Sequence, residues 1–304
     1  MRAAIFTGVD EPLSVEKVEP IAPGPRDVVV RVAASGVCHS DLSIARGYVA
    51  FPPPTVLGHE GTGEVLEVGR EVQRVAVGDT VVASFVPACG SCWFCLRDQS
   101  NLCETSLGMS VTPRVRRSDG SQASCMTGLG TFAEAMTVDE SSVVKVETDL
   151  PPEQLALIGC GVTTGVGAAL NTARVRPGST VAVIGCGGVG QSVLQGARIA
   201  GAARIIAVDP VELKRKTAEQ LGATDLVDPS KGDPVQQVLD LTGGRGADYS
   251  FEVIGLSETV QQAYAMARRG GTAVIVGMPR SESTVTLPGF SLFYDEKKLM
   301  GCVY

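Results

Sequence analysis

The stretch Thr180-Val-Ala-Val-Ile-Gly-Cys-Gly-Gly-Val-Gly190 decides the fold of the C-terminal half of the chain. Its β-branched, apolar start predicts a buried strand, and the G-x-G-x-x-G pattern that follows predicts a tight turn into a helix. Gly185 permits the turn, Gly187 lets the backbone approach a pyrophosphate, and Gly190 allows close packing of the helix. The stretch therefore predicts a dinucleotide site, with turn residues Gly185, Gly187, Gly188, Val189 and Gly190.

An acidic residue stands where such a site needs one. The next apolar run ends in Val208-Asp209, nineteen residues beyond Gly190. A carboxylate there accepts hydrogen bonds from the adenosine ribose and repels a 2′-phosphate, which favours NAD over NADP. Lys214 could reach the same ribose. The alternative is a glycine-rich turn that only packs a helix on a sheet, with Asp209 as a helix-capping residue.

Strand and helix patterns alternate along residues 151–304. Apolar runs joined by amphipathic helices predict a parallel sheet covered on both faces. The expected strands are Thr180–Gly185, Arg204–Asp209, Asp225–Val227, Ala247–Gly255, Thr272–Val276 and Leu299–Tyr304. The expected helices are Gly188–Ala200, Glu212–Leu221, Val235–Leu241 and Glu258–Arg268. Because the last strand ends with the chain and leaves an apolar edge, we expect a C-terminally truncated sequence.

Residues 1–150 predict a separate, β-rich domain. Short β-branched runs alternate with loops that contain Gly and Pro. These runs are Asp27–Val32, Gly63–Val68, Thr80–Val86 and Ser142–Val146. Glu104–Gly130 lacks periodicity and is expected to form a long surface excursion. The expected domains therefore cover residues 1–150 and 151–304.

The β-rich domain carries a cluster of cysteines, Cys89-x2-Cys92-x2-Cys95-x7-Cys103. Four thiolates at this spacing can close a tetrahedral Zn²⁺ site, whereas disulfides between such near neighbours would be strained. Nine cysteines without a secretion signal also indicate a reducing compartment and metal ligation. The alternative, a chance cluster of small buried hydrophobic residues, does not account for the spacing. We predict a zinc lobe.

Three separated pieces suggest a second metal site: Cys38-His-Ser-Asp41, Gly58-His-Glu60 and Gly159-Cys-Gly161. Each piece alone is compatible with buried cysteines or a structural histidine. Together with the cysteine lobe and the dinucleotide turn, they make the chain resemble the zinc-dependent medium-chain alcohol dehydrogenases over its whole length. Gly58-His-Glu-Gly-Thr-Gly63, followed by Gly69 and Val72, fits the zinc signature of that family.

The resemblance implies an α/β protein with a GroES-like β-rich catalytic domain and a Rossmann domain, whose doubly wound parallel sheet is incomplete at the C-terminus. The active site would lie in the cleft between the domains. One zinc would be structural, held by Cys89, Cys92, Cys95 and Cys103. The other would be catalytic, held by Cys38, His59 and Cys160, with Glu60 behind the metal and Asp41 orienting His59.

The resemblance also implies a reaction. Zinc acts as a Lewis acid on an alcohol, Ser40 takes the alcohol proton toward the nicotinamide ribose, and hydride passes to NAD⁺. His39 would contact the pyrophosphate, and Thr164 would pack against the nicotinamide. Ser43 stands where some relatives end the proton relay on a histidine, so the relay would finish at solvent or at His39.

We expect the substrate to be a primary or aromatic alcohol, oxidised to an aldehyde or ketone. Phe85 matches an aromatic pocket-wall position of the family, although core packing is the more common role of such a residue. Two alternatives stay open. One is a dehydrogenase for thiol adducts of formaldehyde, and the other is a zinc- and nucleotide-binding fragment without catalysis.

Composition limits the partners. The net charge is −7 and no basic stripe stands out, so nucleic acid and anionic membranes are not expected partners. We see no uncharged run long enough to span a bilayer and expect a cytoplasmic protein. By resemblance to the family, we expect a homodimer or homotetramer.

Overall fold

A computed structural model describes residues 1–106 and 112–304 of the chain. The chain folds into two compact units, Met1–Cys160 and Gly161–Tyr304. Each unit has its own hydrophobic core. The predicted boundary of the functional domains near residue 150 stays a prediction.

The first unit is built from two sheets. Five strands close a barrel in the order β1-β2-β7-β8-β4, and five others form a sheet in the order β10-β6-β5-β3-β9. The barrel strands are β1 (Arg2–Phe6), β2 (Ser14–Pro20), β4 (Thr55–Val56), β7 (Pro113–Arg117) and β8 (Gln122–Cys125). The sheet strands are β3 (Asp27–Gly36), β5 (Glu60–Val68), β6 (Thr80–Ala83), β9 (Ala135–Asp139) and β10 (Val143–Lys145).

The expected excursion over Glu104–Gly130 is wrong for most of its length. Strands β7 and β8 lie inside it as an antiparallel hairpin of the barrel. Val115 and Ala123 are buried there because alternate residues of the hairpin face the barrel interior. The hairpin alternates too briefly to give a strand signal by itself. Residues 107–111 of the excursion lie outside the described residues.

Two helices of the first unit bear on its chemistry. Helix α1 (His39–Ala45) begins directly after Cys38, which serves as its N-cap. Helix α2 (Pro152–Leu157) begins with a proline, as the first turn of a helix permits, and packs against β3 and β5.

The helical run Pro152–Thr172 corrects one expectation. By length and composition alone it is apolar enough to cross a membrane, with a mean hydropathy of 1.4 over its best window. It consists of α2, a π-helical turn at Ile158–Val162, α3 (Thr163–Gly167) and a second π-helical turn at Ala168–Thr172. Core helices pass the same test, and 39% of the window is buried. The run is weak support for a membrane location.

The second unit contains a six-stranded parallel sheet in the order β13-β12-β11-β14-β15-β16. This confirms the predicted parallel α/β sheet, including its sixth strand. The strands are β11 (Thr180–Ile184), β12 (Arg204–Val208), β13 (Asp225–Val227), β14 (Ala247–Glu252), β15 (Ala267–Ile275) and β16 (Lys298–Gly301). The remaining helices are α4 (Gly188–Ile199), α5 (Glu212–Leu221), α6 (Pro234–Leu241), α7 (Ser257–Met266) and α8 (Gly289–Tyr294).

The turn between β11 and α4 depends on Gly190. A Cβ atom at this position would lie 1.8 Å from the carbonyl oxygen of Gly185. With any larger residue here, the start of the helix would have to move away from the turn. We expect Gly190→Ala to lower the free energy of unfolding by about 2–4 kcal/mol. Chemical denaturation measures this change. Gly187→Ala is the matched control, because a Cβ there meets no atom within 4 Å. Equal stability of the two variants would contradict the close packing of Gly190 against the Gly185 carbonyl oxygen.

Candidate functional site

Four metal-ligating side chains of the first unit converge on one point. One ligand atom from each of Cys38, His59, Glu60 and Cys160 lies within 4.8 Å of the others. Three of the four residues are buried, and Cys38 is half-buried. Two thiols and an imidazole are a ligand set that suits zinc, and Glu60 adds a nearby carboxylate. The structure therefore brings together the three predicted catalytic zinc ligands and Glu60.

These residues come from three separate elements. Cys38 precedes α1, while Glu60 opens β5 directly after His59. Cys160 lies in the π-helical turn after α2, a type of irregularity that is frequent at functional sites. Gly58, with φ of +91°, turns the chain immediately before His59. A Cβ atom at that position would meet Thr131 Oγ1 at 2.4 Å, so glycine is required for two reasons.

Asp41 ties two of these elements together. Its Oδ2 accepts a hydrogen bond from the Cys38 amide at 2.9 Å, and its Oδ1 accepts one from the Gly58 amide at 3.0 Å. The same Oδ1 lies 3.4 Å from His59 Nδ1. This is an ion-pair contact, and Nδ1 has no well-aligned hydrogen-bond partner among the described residues. The carboxylate thus lies next to the imidazole, and the orienting role that the resemblance implies for Asp41 stays a prediction.

We expect Asp41→Asn to weaken zinc binding at this cluster and to lower turnover by about 10- to 100-fold. In asparagine an NH2 group, which cannot accept a hydrogen bond, replaces one carboxylate oxygen. The side chain then cannot accept from both main-chain amides and also hold the imidazole. Zinc retention against a chelator measures the effect. Asp139→Asn is the control, because Asp139 caps a turn elsewhere in the same unit. Wild-type zinc retention in Asp41→Asn would show that the carboxylate has no such role.

The charges at the cluster favour metal ligation. A hydrogen bond from Cys160 lowers the pKa of Cys38 to about 3, aided by His59 and opposed by burial. Burial lowers the pKa of His59, but Asp41 and Cys38 outweigh it and raise the value to about 9. The lowered pKa favours the thiolate form of Cys38, which is the form that binds metals, and a metal would displace the proton of His59.

Three residues that the sequence did not single out support the cluster. Ser35 Oγ donates to the carbonyl oxygen of Glu60 at 3.0 Å and lies 2.7 Å from Thr131 Oγ1. Gly36 leaves room for the glutamate, because a Cβ atom there would lie 2.0 Å from Glu60 Oε2. In the sequence, the only signal for Ser35 and Gly36 is that they are small residues close to a predicted strand and to a predicted site. Small residues are common in strands, so this signal is weak.

The cysteine lobe forms the second group of ligands. The four sulfurs of Cys89, Cys92, Cys95 and Cys103 lie within 4.8 Å of one another. Cys89 and Cys95 sulfurs are 3.9 Å apart, and those of Cys92 and Cys103 are 4.0 Å apart. Tetrahedral zinc with bonds of about 2.3 Å requires sulfurs about 3.8 Å apart. The lobe fits zinc.

Hydrogen bonds to the sulfurs support this fit. The amides of Ser91 and Cys92 donate to Cys89 Sγ at 3.4 and 3.3 Å, and that of Cys89 donates to Cys103 Sγ at 3.4 Å. The Ser91 amide is the main cause that lowers the pKa of Cys89 to about 5. Such donors stabilise thiolates, and metal ligands typically accept hydrogen bonds from neighbouring groups of this kind.

The other predicted residues of the first unit lie around the four-ligand cluster. Ser40 Oγ is 3.7 Å from Cys38 Sγ. His39 opens α1 and is exposed. The ring of Phe85 contacts the imidazole of His59 edge-on, with centroids 5.4 Å apart. An aromatic wall therefore stands beside the imidazole. The roles of Ser40 and His39 stay predictions.

The dinucleotide turn has the geometry that its glycines predict. Gly185 has φ of +94°, which favours glycine. Gly187 and Gly188 are exposed, and an added Cβ at either position would meet nothing within 4 Å. The turn leads into the N-terminus of the twelve-residue helix α4, where unpaired amides and the helix dipole favour a phosphate. The turn therefore offers open space beside the amides of the helix N-terminus.

Asp209 lies beside this turn and is buried. Its Oδ2 accepts from the Cys186 amide at 2.9 Å, and its Oδ1 accepts from the Val211 amide at 2.8 Å. Lys214 Nζ is 4.0 Å from Oδ2 and half-exposed. Thr164 Oγ1 donates to the carbonyl oxygen of Tyr304 at 2.8 Å. The structure thus groups Asp209 and Lys214 at the turn, and the contact of Thr164 with nicotinamide stays a prediction.

Two family models match the chain. Residues 24–148 match the alcohol dehydrogenase GroES-like domain, and residues 188–304 match the zinc-binding dehydrogenase model. Each match falls on one of the two units. The first contains Cys38, His59, Glu60 and the cysteine lobe, and the second contains Gly190, Asp209 and Lys214.

Solved structures similar to the chain extend over nearly all of it. An alcohol dehydrogenase zinc-binding domain protein from Burkholderia ambifaria is 35% identical, with a TM-score of 0.94 over 99% of this chain and 83% of that one. Benzyl alcohol dehydrogenase from Acinetobacter calcoaceticus is 32% identical, with a TM-score of 0.92 over 99% and 83%. A protein described as a zinc-binding dehydrogenase from Sinorhizobium meliloti 1021, bound to NADP, is 31% identical, with a TM-score of 0.83 over 99% and 84%.

Proposed function

Because the chain belongs to the zinc-dependent alcohol dehydrogenase family, we propose that it oxidises a primary or aromatic alcohol with NAD⁺ and that Cys38, His59 and Cys160 hold the catalytic zinc. The observation that carries this proposal is the convergence of these three ligands with Glu60. Three protein ligands leave a fourth position for water or substrate, as catalytic zinc requires.

Zinc at this position would supply Lewis acidity, which lowers the pKa of an alcohol. The protein's own residues supply the rest. Asp41 holds the backbone before α1 and before His59, so that the imidazole keeps one orientation. The hydroxyl of Ser40, close to Cys38 Sγ, takes the alcohol proton and passes it on toward solvent or His39.

The second unit would hold the dinucleotide. The turn Gly185–Gly190 and the N-terminus of α4 bind its pyrophosphate, and Asp209 and Lys214 bind the adenosine ribose. When bound, the dinucleotide would supply the acceptor for the hydride of the alcohol carbon. The buried carboxylate of Asp209 favours NAD, because it repels a 2′-phosphate. One similar structure, that of the Sinorhizobium meliloti protein, contains NADP, so both dinucleotides need to be tested.

The aromatic ring next to the cluster supports an aromatic or benzylic substrate. Phe85 lies edge-on against His59, and a ring-shaped substrate could pack on such a wall. Benzyl alcohol dehydrogenase is among the similar structures. Benzyl alcohol is therefore the first substrate to test.

A short panel of alcohols with NAD⁺ and NADP⁺ tests the function. We expect NADH formation with benzyl alcohol, lost on zinc removal and restored by added zinc. Formaldehyde oxidation that depends on an added low-molecular-weight thiol, without benzyl alcohol turnover, would favour the thiol-adduct alternative. Two bound zinc ions and dinucleotide binding without any hydride transfer would identify the inactive fragment. A cytoplasmic homodimer or homotetramer remains part of the proposal.

A further inference from the structure

A buried ion pair contacts the loop that carries Asp209. Arg215 of α5 is 8% exposed, and its Nη2 lies 2.9 Å from Asp228 Oδ2. Its Nη1 donates to the main-chain carbonyl oxygen of Asp209 at 2.5 Å. A buried guanidinium normally needs partners of this kind. The pair therefore fixes the main chain of Asp209 to the loop after β13.

The same loop is tied to the glycine turn. The Asp209 carboxylate accepts from the amides of Cys186 and Val211. Gln191 Nε2 donates to the carbonyl oxygens of Cys186 and Lys214, at 3.1 and 2.9 Å. The glycine turn, the start of α5 and the loop after β13 thus form one connected set of hydrogen bonds.

Asp228 lies close to two cations at this place. Besides Arg215, it lies 3.9 Å from Nζ of Lys231, whose side chain is 77% exposed. Both cations line a cavity of about 500 Å³ that also touches Pro210, the residue after Asp209. Arginine pairs strongly with phosphate when its donors are free. In this chain Arg215 Nη2 already donates to Asp228, and Nη1 donates to the Asp209 carbonyl oxygen.

Resting on the proposed function, we propose that Asp228 is a specificity-determining residue for the dinucleotide. It pairs with Arg215 and lies near Lys231, and its charge thereby offsets, toward a 2′-phosphate, two of the three cations (with Lys216) that line the cavity touching Pro210. The disfavoured ligands are adenosine dinucleotides with a 2′-phosphate. Asp209 repels that phosphate directly, whereas Asp228 offsets two cations that could compensate for the repulsion.

The test uses the full chain with ADP-ribose and 2′-phospho-ADP-ribose as calorimetric probes, so that it does not depend on alcohol oxidation. Asp228→Asn keeps Oδ1, the oxygen that accepts from the Ser230 amide at 3.0 Å, but removes the charge. We expect the ratio of the two affinities to shift about tenfold toward the phosphorylated probe. Asp233→Asn, at the N-cap of α6, is the matched control and should leave the ratio unchanged.

A second variant separates specificity from general damage. Arg215→Met removes the cation itself and should weaken binding of both probes, with no gain for the phosphorylated one. If Asp228→Asn folds poorly, Asp228→Ser keeps a capping oxygen and serves in its place. An unchanged ratio, or equal weakening of both probes, overturns this inference alone. Wild-type protein that binds neither probe overturns the proposed dinucleotide site and this inference with it.

Discussion

Cys160→Ser should reduce the turnover of benzyl alcohol by about 10³-fold or more and should remove one zinc per chain. Cys160 is 7% exposed and supplies one of only two thiol groups at the four-ligand cluster. Without it, Cys38 and His59 remain as two ligands for a metal that needs three from the protein. The lost Lewis acidity amounts to several kcal/mol of transition-state stabilisation, which sets the size of the expected fall.

Cys302→Ser is the matched control for this variant. Its thiol contacts Thr172 Oγ1 at 3.3 Å and belongs to neither group of ligands. We expect it to retain both zinc ions and near-normal turnover. Zinc content and turnover number are measured on the same preparation of each variant. Full turnover of Cys160→Ser would exclude the proposed catalytic metal site.

Cys103→Ser should remove the other zinc and unfold the lobe around it. Cys103 is 2% exposed, and its sulfur accepts from the Cys89 amide and contacts Thr105 Oγ1 at 3.1 Å. The lobe has little apolar core of its own, since Trp93 and Leu96 are exposed, and zinc ligation must hold it together. We expect the first thermal transition to fall by about 10 °C.

Ser91→Ala tests whether this effect is specific to the ligands. Ser91 belongs to the same lobe, and its hydroxyl lies 3.6 Å from Cys89 Sγ, but it is not a ligand. This variant should keep its zinc and most of its thermal stability. Limited proteolysis within residues 89–106 should be fast only in Cys103→Ser. A zinc-free lobe that resists both heat and protease would show that ligation is not what stabilises it.

The repeating parts of the fold could be predicted from the sequence. Helix Glu212–Leu221 and strand Asp225–Val227 have the predicted bounds, because a capped amphipathic helix and a short apolar strand carry local signals. The hairpin β7–β8 could not be predicted, since its strands are short and their burial depends on barrel partners distant in sequence. The strand structure of that segment is determined by its tertiary pairing and not by local propensity.

In the candidate site, too, some parts could be predicted from the sequence and others could not. Spacing predicts the cysteine lobe, because its ligands are close in the chain. Cys38, His59 and Cys160 are far apart in sequence, and it was resemblance that grouped them before the structure did. Their supports, Ser35 and Thr131, have no motif and appear only as contacts. The pairing of Arg215 with Asp228 is likewise a tertiary contact, thirteen positions apart, that no local pattern predicts.

The central claim is that the chain oxidises an alcohol with the help of a bound catalytic zinc. The most direct test measures zinc per chain together with NADH production from benzyl alcohol, before and after treatment with a chelator. The claim predicts two zinc ions per chain, turnover that disappears when the catalytic zinc is removed, and recovery when zinc is returned. Benzyl alcohol oxidation that continues unchanged in zinc-free protein would contradict it.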